Sequence, residues 1–589
     1  MRWRVLRFYM NVIKESLTED MKLRSMFRAQ LLSLVWILFA IVILIRVLYI
    51  ETIKHSYYSS LADRQYVSNG SFSFDRGTIY FSDYKKNPIS AGELVSTYRI
   101  AIDPVAIKDV EGVYKKLSEK VSIDKNIFLE KVSKKDDPYE EIAKGVKEED
   151  INYLKYFKLK GVTYIKDNKR FYPQGDIGAK VIGFVGNNGK SVRGQYGVEK
   201  YYNDILDRGD SSDNINFFAE LFTDIEKSSV SNIDKREGDI VLTVDTEAER
   251  FLHQTLIETK REWQSDVVGG IIMNPTTGAI IAMDALPTFD PNEFSDVKDP
   301  SYFSNQLISG VYEMGSIIKP LTMASALDTG VIKEDSKYTD TGSVVVDGRK
   351  ISNYDGVARG TIPVQDILDH SLNIGIVHVV TLLGRETFQK YFKSFGFGSE
   401  TGIDLPTESS GLVKNLNSNV FVDSATSGFG QGMAITPIQT IRALASLGNG
   451  GKLITPYIVD SVIYKSGDVK KTIPDEGIQV FKPETSETIT RMLVHVVDKA
   501  LLGGSQKMDH YSIAAKTGTA QIAKPGGGYY DDRFLHSFFG YFPAYDPKYV
   551  IFLFHTYPKK AGYAAATLSD PFFKIVKFLI SYYEVPPDR

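Results

Sequence analysis

The stretch "YEMGSIIKPLTMASALDTG", Tyr312 to Gly330, places a serine three residues ahead of a lysine where an apolar run begins. A serine hydroxyl is a weak nucleophile until a base takes its proton. Positions i and i+3 of a helix share a face, so Ser316 and Lys319 are expected within hydrogen-bond reach. Gly315 permits a tight entry. The free N–H groups and partial positive charge of a helix N-terminus favour an alkoxide and a neutral lysine alike, provided burial depresses the ammonium. Pro320 removes a backbone donor, so the helix is expected to begin loosely. The S-x-x-K spacing alone is weak: Ser122 and Lys125 share it in a charged stretch that reads as solvated helix.

Two further stretches strengthen the case. "DHSLNIGIV" holds Ser371 and Asn373, a hydroxyl and an amide two residues apart ahead of a helical run. "AAKTGTAQI" holds Lys516, Thr517, Gly518 and Thr519 on a strand. There Gly518 would let a substrate backbone lie along the strand edge, while Lys516 and the threonines face an anion. Each has a plainer reading: Lys516 as an edge-strand lysine that blocks pairing, Asn373 as a helix cap. Ser212-Asp213-Asn214 imitates the second motif but precedes Ser316 in a spacer, and is set aside. His536 and His555 read as structural histidines on apolar strands. "KPGGGYYDDRF" reads as a hairpin loop at the mouth of a cleft. Phe421, Phe429, Gly428, Gly430 and Gly432 either shape that cleft or form an ordinary loop.

These residues must be carried by elements that the hydrophobic pattern places. "REGDIVLTVDTEAERFLHQTLIETKREW" reads as a strand, a helix start at Asp245-Thr246, and a helix. "VVGGIIMNPTTGAIIAMDA" reads as a hairpin, and "HSFFGYFPA" with "YVIFLFHTY" as two more adjacent strands. "DPFFKIVKFLISYY" is an apolar helix. The order implies one α+β domain, residues 237–589, closing on a central antiparallel sheet flanked by helices. Residues 51–236 are polar and mixed: "SFSFDRGTIYFSD" and "STYRIAIDPVAI" alternate as strands, and "KKLSEKVSIDKNIFLEKVSKKDDPYEEIAKGV" reads as charged helices broken near Asp137-Pro138. This is an extended α+β spacer.

At 589 residues and 43% hydrophobic content the chain holds two or three domains with real cores. A net charge of −3 gives no support to nucleic-acid binding. The absence of cysteine removes disulfides, thiolate metal sites and a cysteine nucleophile. Without HExxH, Walker A or GxGxxG stretches, no metal or cofactor is expected. "LLSLVWILFAIVILI" is uncharged, and Ala29 to Tyr49 supplies about 20 apolar residues for a membrane span at 29–50, with Arg46 snorkelling. Arg2, Arg4, Arg7, Lys14, Lys22, Arg24 and Arg28 keep the tail 1–28 in the cytoplasm. The chain is therefore expected to be a single-pass protein of the cell membrane with everything after residue 50 outside.

The trio S-x-x-K, S-x-N and K-T-G, in this chain order, resembles that of penicillin-binding proteins and serine β-lactamases. The chain is similar to the class B penicillin-binding proteins, monofunctional peptidoglycan D,D-transpeptidases, over residues 51 to 589. Arg76-Gly77, "RFYPQGDIGAKVIGFVG" and "GQYGVEKYYNDIL" resemble the pedestal (dimerisation-like) signatures of that class. "FDPNEF", "TGIDLPTESSG" and "GFGQGMAITPIQ" resemble its transpeptidase domain. Met314 and Ile318 stand where the family usually has proline and phenylalanine.

The resemblance implies roles. Ser316 attacks the penultimate D-alanine carbonyl of a stem peptide, Lys319 is the base, and Ser371 relays a proton to the leaving amine with support from Lys516. Asn373 holds the acylated peptide. Thr517 and Thr519 bind the substrate carboxylate beside Gly518, and the backbone N–H groups of Ser316 and Thr519 form the oxyanion hole. An amine from a neighbouring stem peptide resolves the acyl-enzyme, β-lactams are trapped at Ser316, and no cofactor is needed. A membrane glycan polymerase of the shape, elongation, division and sporulation family is the implied partner, and septal synthesis is preferred over elongation. The alternatives are a D,D-carboxypeptidase or β-lactamase, for which Glu408 is the tempting water-holding residue, and a β-lactam-sensing receptor, which would normally bring several membrane segments and a zinc-protease motif. A bifunctional synthase is disfavoured because residues 51 to 236 lack an acidic glycosyltransferase signature.

Overall fold

The computed structural model describes residues 36–44, 49, 74–135, 137–187, 192–208, 237–559 and 561–589. The apolar run expected to span a membrane lies mostly outside them; its described part, 36–44, is an exposed helix. Among the described residues no helix is long and apolar enough to cross a membrane. The Ser212-Asp213-Asn214 decoy also lies outside the described residues.

The first unit is built on β1 (Ile79–Ser82), the long β2 (Pro88–Ile102), β3 (Glu140–Lys147) and β4 (Val162–Phe171), with α1 (Val110–Ser118), α2 (Lys125–Ser133) and α3 (Glu148–Tyr156) between them. α2 carries the Lys125 of the S-x-x-K decoy, exposed and paired with Glu111 at 2.7 Å, as a solvated helix should be. One expectation fails: "EEIAKGV", read as helical, is β3. Its composition is that of a helix former, but its backbone pairs antiparallel with Thr97–Ile102 of β2, and Val146 joins the small core formed with Tyr98, Ile100, Leu117 and Phe128.

A buried ionic knot closes this unit. Glu199, on α5 (Gly197–Tyr201) after α4 (Ala179–Ile182), accepts from Arg76 Nε at 2.6 Å and Arg170 Nε at 2.7 Å. Burial alone would raise its pKa; the two guanidinium groups hold it below the usual value. Arg76, singled out in the sequence, is thus a fastener of the pedestal.

The sheet of this unit does not stop at residue 236. β5 (Gly238–Asp245) pairs parallel with β1, and β8 (Val459–Tyr464) and β9 (Val469–Lys471) extend it, giving the order β9-β8-β5-β1-β2-β3 with β4 also on β2. The second unit's own sheet is antiparallel, in the order β10-β11-β12-β6-β7: β6 (Val268–Met273), β7 (Ile280–Leu286), β10 (Ala514–Ala523), β11 (Tyr529–Phe542) and β12 (Tyr549–Thr556). Both expected hairpins are present, β6 with β7 and β11 with β12. Alternation splits each strand between two cores. Phe538, Phe542, Ile551 and Leu553 pack under α6 (Thr246–Trp263) and α11 (Ala564–Tyr582), where Phe251 stacks on Phe578 at 4.0 Å. Phe539, Tyr541, Phe552 and Phe554 face the helical lobe of α7 (Lys319–Thr329), α8 (Gln365–Asp369), α9 (Asn373–Leu383) and α10 (Pro483–His495). Asp245 caps α6 as expected, accepting from the N–H groups of Glu247 and Ala248. The elements carrying the three motifs meet where the helical lobe packs against β10, the edge strand.

Candidate active site

Ser316 sits in a single 3-10 turn, Gly315–Ile318, that runs directly into α7 at Lys319, with Pro320 in the first α-helical turn, where a missing N–H costs nothing. The loose entry expected at Pro320 is this 3-10 turn. Three close approaches seat it. A Cβ on Gly430 would lie 2.2 Å from the Gly315 carbonyl oxygen, so the glycine-rich stretch 428–432 packs directly against the serine turn. A Cβ on Gly518 would meet the Met314 carbonyl at 2.8 Å and the Ile317 nitrogen at 2.9 Å. The small residue of K-T-G therefore makes room for the turn that carries the serine, not for a substrate backbone on the strand edge. Gly518→Ala is expected to retain the fold and slow acylation of Ser316 about tenfold, since misplacement of a reacting atom by a fraction of an ångström is costly. Stopped-flow acylation with a chromogenic β-lactam would read it.

Lys319 is fully buried. Its Nζ meets the Ser371 carbonyl oxygen at 2.5 Å, Asn373 Oδ1 at 2.8 Å and Ser371 Oγ at 3.3 Å. Ser316 is not among these partners in the resting structure, so the expected contact between the two is replaced by one between Lys319 and Ser371. Desolvation first, and the neighbouring Lys516 second, push the Lys319 ammonium well below its ordinary value. A neutral amine has two N–H groups and one lone pair. The two carbonyl oxygens accept both hydrogens, which leaves the lone pair for a hydroxyl.

Ser371 lies between α8 and α9 with φ of +55°, a conformation that a non-glycine residue holds only when its surroundings enforce it. Asn373 begins α9 but makes no cap bond; its Nδ2 donates to the Ser352 carbonyl at 3.0 Å, which rules out the helix-cap reading. The S-x-N pair is thus aimed at Lys319 from one side, held by the short strand Arg349–Ser352.

Lys516 comes from the other side, buried on β10, its Nζ donating to the Thr517 carbonyl at 3.0 Å. Burial lowers it to about 8, with Asp369 opposing. A buried edge lysine does not guard against strand pairing. Thr517 and Thr519 remain partly exposed. A Cβ on Gly315 would lie 2.8 Å from the Thr519 carbonyl, so the polar side of Thr519's backbone faces the serine turn rather than β11. N–H and C=O of one strand residue point the same way, and the Thr519 N–H therefore projects off the sheet edge toward Ser316. The Thr519 hydroxyl accepts from the Ala564 N–H at 3.2 Å, tying K-T-G to the start of α11.

Sequence reasoning missed two carboxylates. Asp369, two residues before Ser371, bonds His495 and Gln365 and supplies the negative charge nearest Lys516. Glu313, three residues before Ser316, accepts from the Gly432 N–H at 3.0 Å and the Tyr529 hydroxyl at 3.2 Å, joining the serine turn, the glycine-rich stretch 428–432 and the β10–β11 hairpin. An acidic residue two or three positions before each serine was the available signal. His536 and His555 share Thr567 Oγ1 at 2.9 Å each, and burial holds both below their ordinary values, as structural histidines. Glu408 is spent on the N–H groups of Thr401 and Gly402.

Residues 268–576 match the family described as Penicillin binding protein transpeptidase domain, and 74–220 match Penicillin-binding Protein dimerisation domain. The chain is 31% identical over 538 residues to Stage V sporulation protein D of Bacillus subtilis, covering 89% of this chain and 80% of that protein. It is 26% identical over 595 residues to Peptidoglycan D,D-transpeptidase FtsI of Buchnera aphidicola, covering 98% and 99%. Penicillin Binding Protein 2X from Streptococcus thermophilus has the same fold, with a TM-score of 0.73 at 21% identity, covering 87% of this chain and 81% of that one.

Proposed function

This chain belongs to the penicillin-binding protein transpeptidase family, and on that premise we propose how its cleft works and where it works. It is a class B penicillin-binding protein, a serine-type peptidoglycan D,D-transpeptidase of cell-wall synthesis. The observation that carries the mechanism is the convergence of three distant segments on one buried amine whose charged form burial disfavours: Lys319, Ser371 with Asn373, and Lys516.

Ser316 Oγ attacks the carbonyl of the penultimate D-alanine as Lys319 takes its proton, directly or through Ser371. The oxyanion forms between the N–H groups of Ser316 and Thr519, each such donor being worth roughly 2.7–4 kcal/mol. Lys516 and the two threonines hold the terminal carboxylate. Asn373 holds the upstream amide, and Ser371 returns the proton to the departing D-alanine. An acceptor amine then attacks the ester from the vacated side, and the same groups run in reverse. A β-lactam opens on Ser316 by the first half of this sequence.

The setting extends the proposal. The apolar run at 29–50 anchors the chain once in the cell membrane with the cleft outside, the pedestal at 51–236 carries the transpeptidase unit at 237–589, and a membrane glycan polymerase supplies nascent strands. Septal synthesis is the preferred role, on the overall size and the compact transpeptidase unit without a long insertion.

Incubation of the protein with fluorescent penicillin, followed by peptide mapping, tests the chemistry: label is expected on the peptide containing Ser316, and a folded protein without label there rejects it. Incubation with a donor stem peptide and an acceptor amine separates the outcomes. Crosslinked dimers support transpeptidation, and trimmed peptides alone establish a D,D-carboxypeptidase.

A further inference from the structure

The β10–β11 hairpin carries a feature the mechanism does not use. The ladder pairs Gln521 with Phe534 and then Ala523 with Tyr529, so four residues of β11, 530–533, stand against the single Ile522 of β10. A bulge of this kind re-aims side chains out of the ladder. Arg533, its last residue, lies between two rings: its guanidinium carbon is 4.2 Å from the centroid of Tyr530 and 5.0 Å from that of Tyr557. Tyr557 is held at φ +52°, an unusual conformation for a bulky residue, and its N–H is fixed on the Phe534 carbonyl at 2.7 Å.

Arg533 is thus positioned and partly dehydrated, yet unpaired. Its Nε is buried without a hydrogen-bond partner, and no carboxylate among the described residues pairs with it, the exposed Asp531 and Asp532 included. Lys524 over Tyr530 and Lys559 over Tyr557 add two cations to the same surface. A planar, pre-oriented guanidinium with its donors free is the complement of a carboxylate.

Its location indicates whose carboxylate. In the proposed mechanism the terminal carboxylate sits at Lys516, Thr517 and the Thr519 hydroxyl and the scissile carbonyl at the Thr519 N–H, so the upstream stem runs along β10 toward the hairpin. Arg533 lies level with Ile522, three residues past Thr519, about 10 Å along the strand at strand rise and one strand in from the edge, about 5 Å across, a gap the long arginine side chain can span. The distance along the strand is the reach of two or three extended residues. The bulge also begins next to Tyr529, whose hydroxyl touches Glu313 beside the serine turn.

We propose that Arg533, clamped by Tyr530 and Tyr557, is a carboxylate subsite that recognises a free side-chain carboxylate two or three residues upstream of the acylated D-alanine. This rests on the transpeptidase reading. The test uses two synthetic donor peptides that differ only in that group, carboxylate against amide, with D-alanine release as the readout. Wild-type protein is expected to favour the carboxylate in kcat/KM by about tenfold, the scale of one charge-assisted pair. Arg533→Gln should abolish the preference, Arg533→Lys retain part of it, and Arg533→Glu invert it. The ratio is internal to each variant, so partial unfolding cannot imitate its loss. A wild-type protein without preference, or a preference that survives Arg533→Gln, overturns the subsite. Penicillin labelling at Ser316 separates this from failure of the underlying reading: a wild-type protein that takes neither label nor peptide overturns both.

Discussion

Replacing Lys319 by methionine is expected to slow acylation of Ser316 about 10²- to 10⁴-fold while leaving the chain as stable as the wild type to within about 2 kcal/mol. The rate loss is the range spanned by a positioned general base. The stability expectation follows from where the amine sits. Lys319 is fully buried and its ammonium form is disfavoured by desolvation and by Lys516, so the wild type bears a cost to hold it. Methionine fills a similar volume without that cost but leaves the Ser371 carbonyl and Asn373 Oδ1 short of a donor, a loss of about 1–3 kcal/mol for each. The opposing contributions nearly cancel.

The pH dependence of stability gives a second signature. The unfolded chain holds the Lys319 proton up to its ordinary 10.5, and the folded chain releases it well below that. Between those points the unfolded state binds more protons, so wild-type stability rises with pH through that window, and Lys319→Met lacks the Lys319 share of the rise. Denaturation at several pH values, beside acylation kinetics, checks both halves. A loss of activity below tenfold would assign the base elsewhere.

Much of this site was legible because its parts follow local rules. The serine, the lysine and the apolar face behind them form one helical repeat, and K-T-G lies in an alternating strand bordered by a glycine-rich hairpin. The central sheet was equally readable, since each of its hairpins carries its own turn signal. What failed to read was set by partners distant in sequence. β3 has a helix former's composition and became a strand because β2 offered it an edge. Gly518 was read toward the substrate because nothing in the sequence placed Met314 and Ile317 against it. Glu313 and Asp369 went unread because their partners Gly432, Tyr529 and His495 lie 119, 216 and 126 residues away. The contact of Lys319 with Ser371 rather than Ser316 is of the same kind: spacing brings two side chains onto one face, and the third segment decides which hydroxyl the amine meets.

Lys516 supplies the alkaline limit of activity. Below about 8 it carries a charge, and above that it loses it, because burial lowers its pKa and Asp369 only partly offsets the effect. The charged form does two things at once: it draws a substrate carboxylate to Thr517 and Thr519, and by repulsion it helps keep Lys319 neutral. Deprotonation removes both. The kcat/KM for acylation by penicillin is therefore expected to fall about tenfold per pH unit above about 8, levelling at the rate of Lys516→Met. That variant should lie about 10²- to 10³-fold below wild type at pH 7, the scale of truncating one member of a buried charge pair, and should show no such limb of its own. Asp369→Asn removes the opposing charge and should move the limb to lower pH. An unchanged limb in Lys516→Met would assign the titration to another group and detach Lys516 from carboxylate binding.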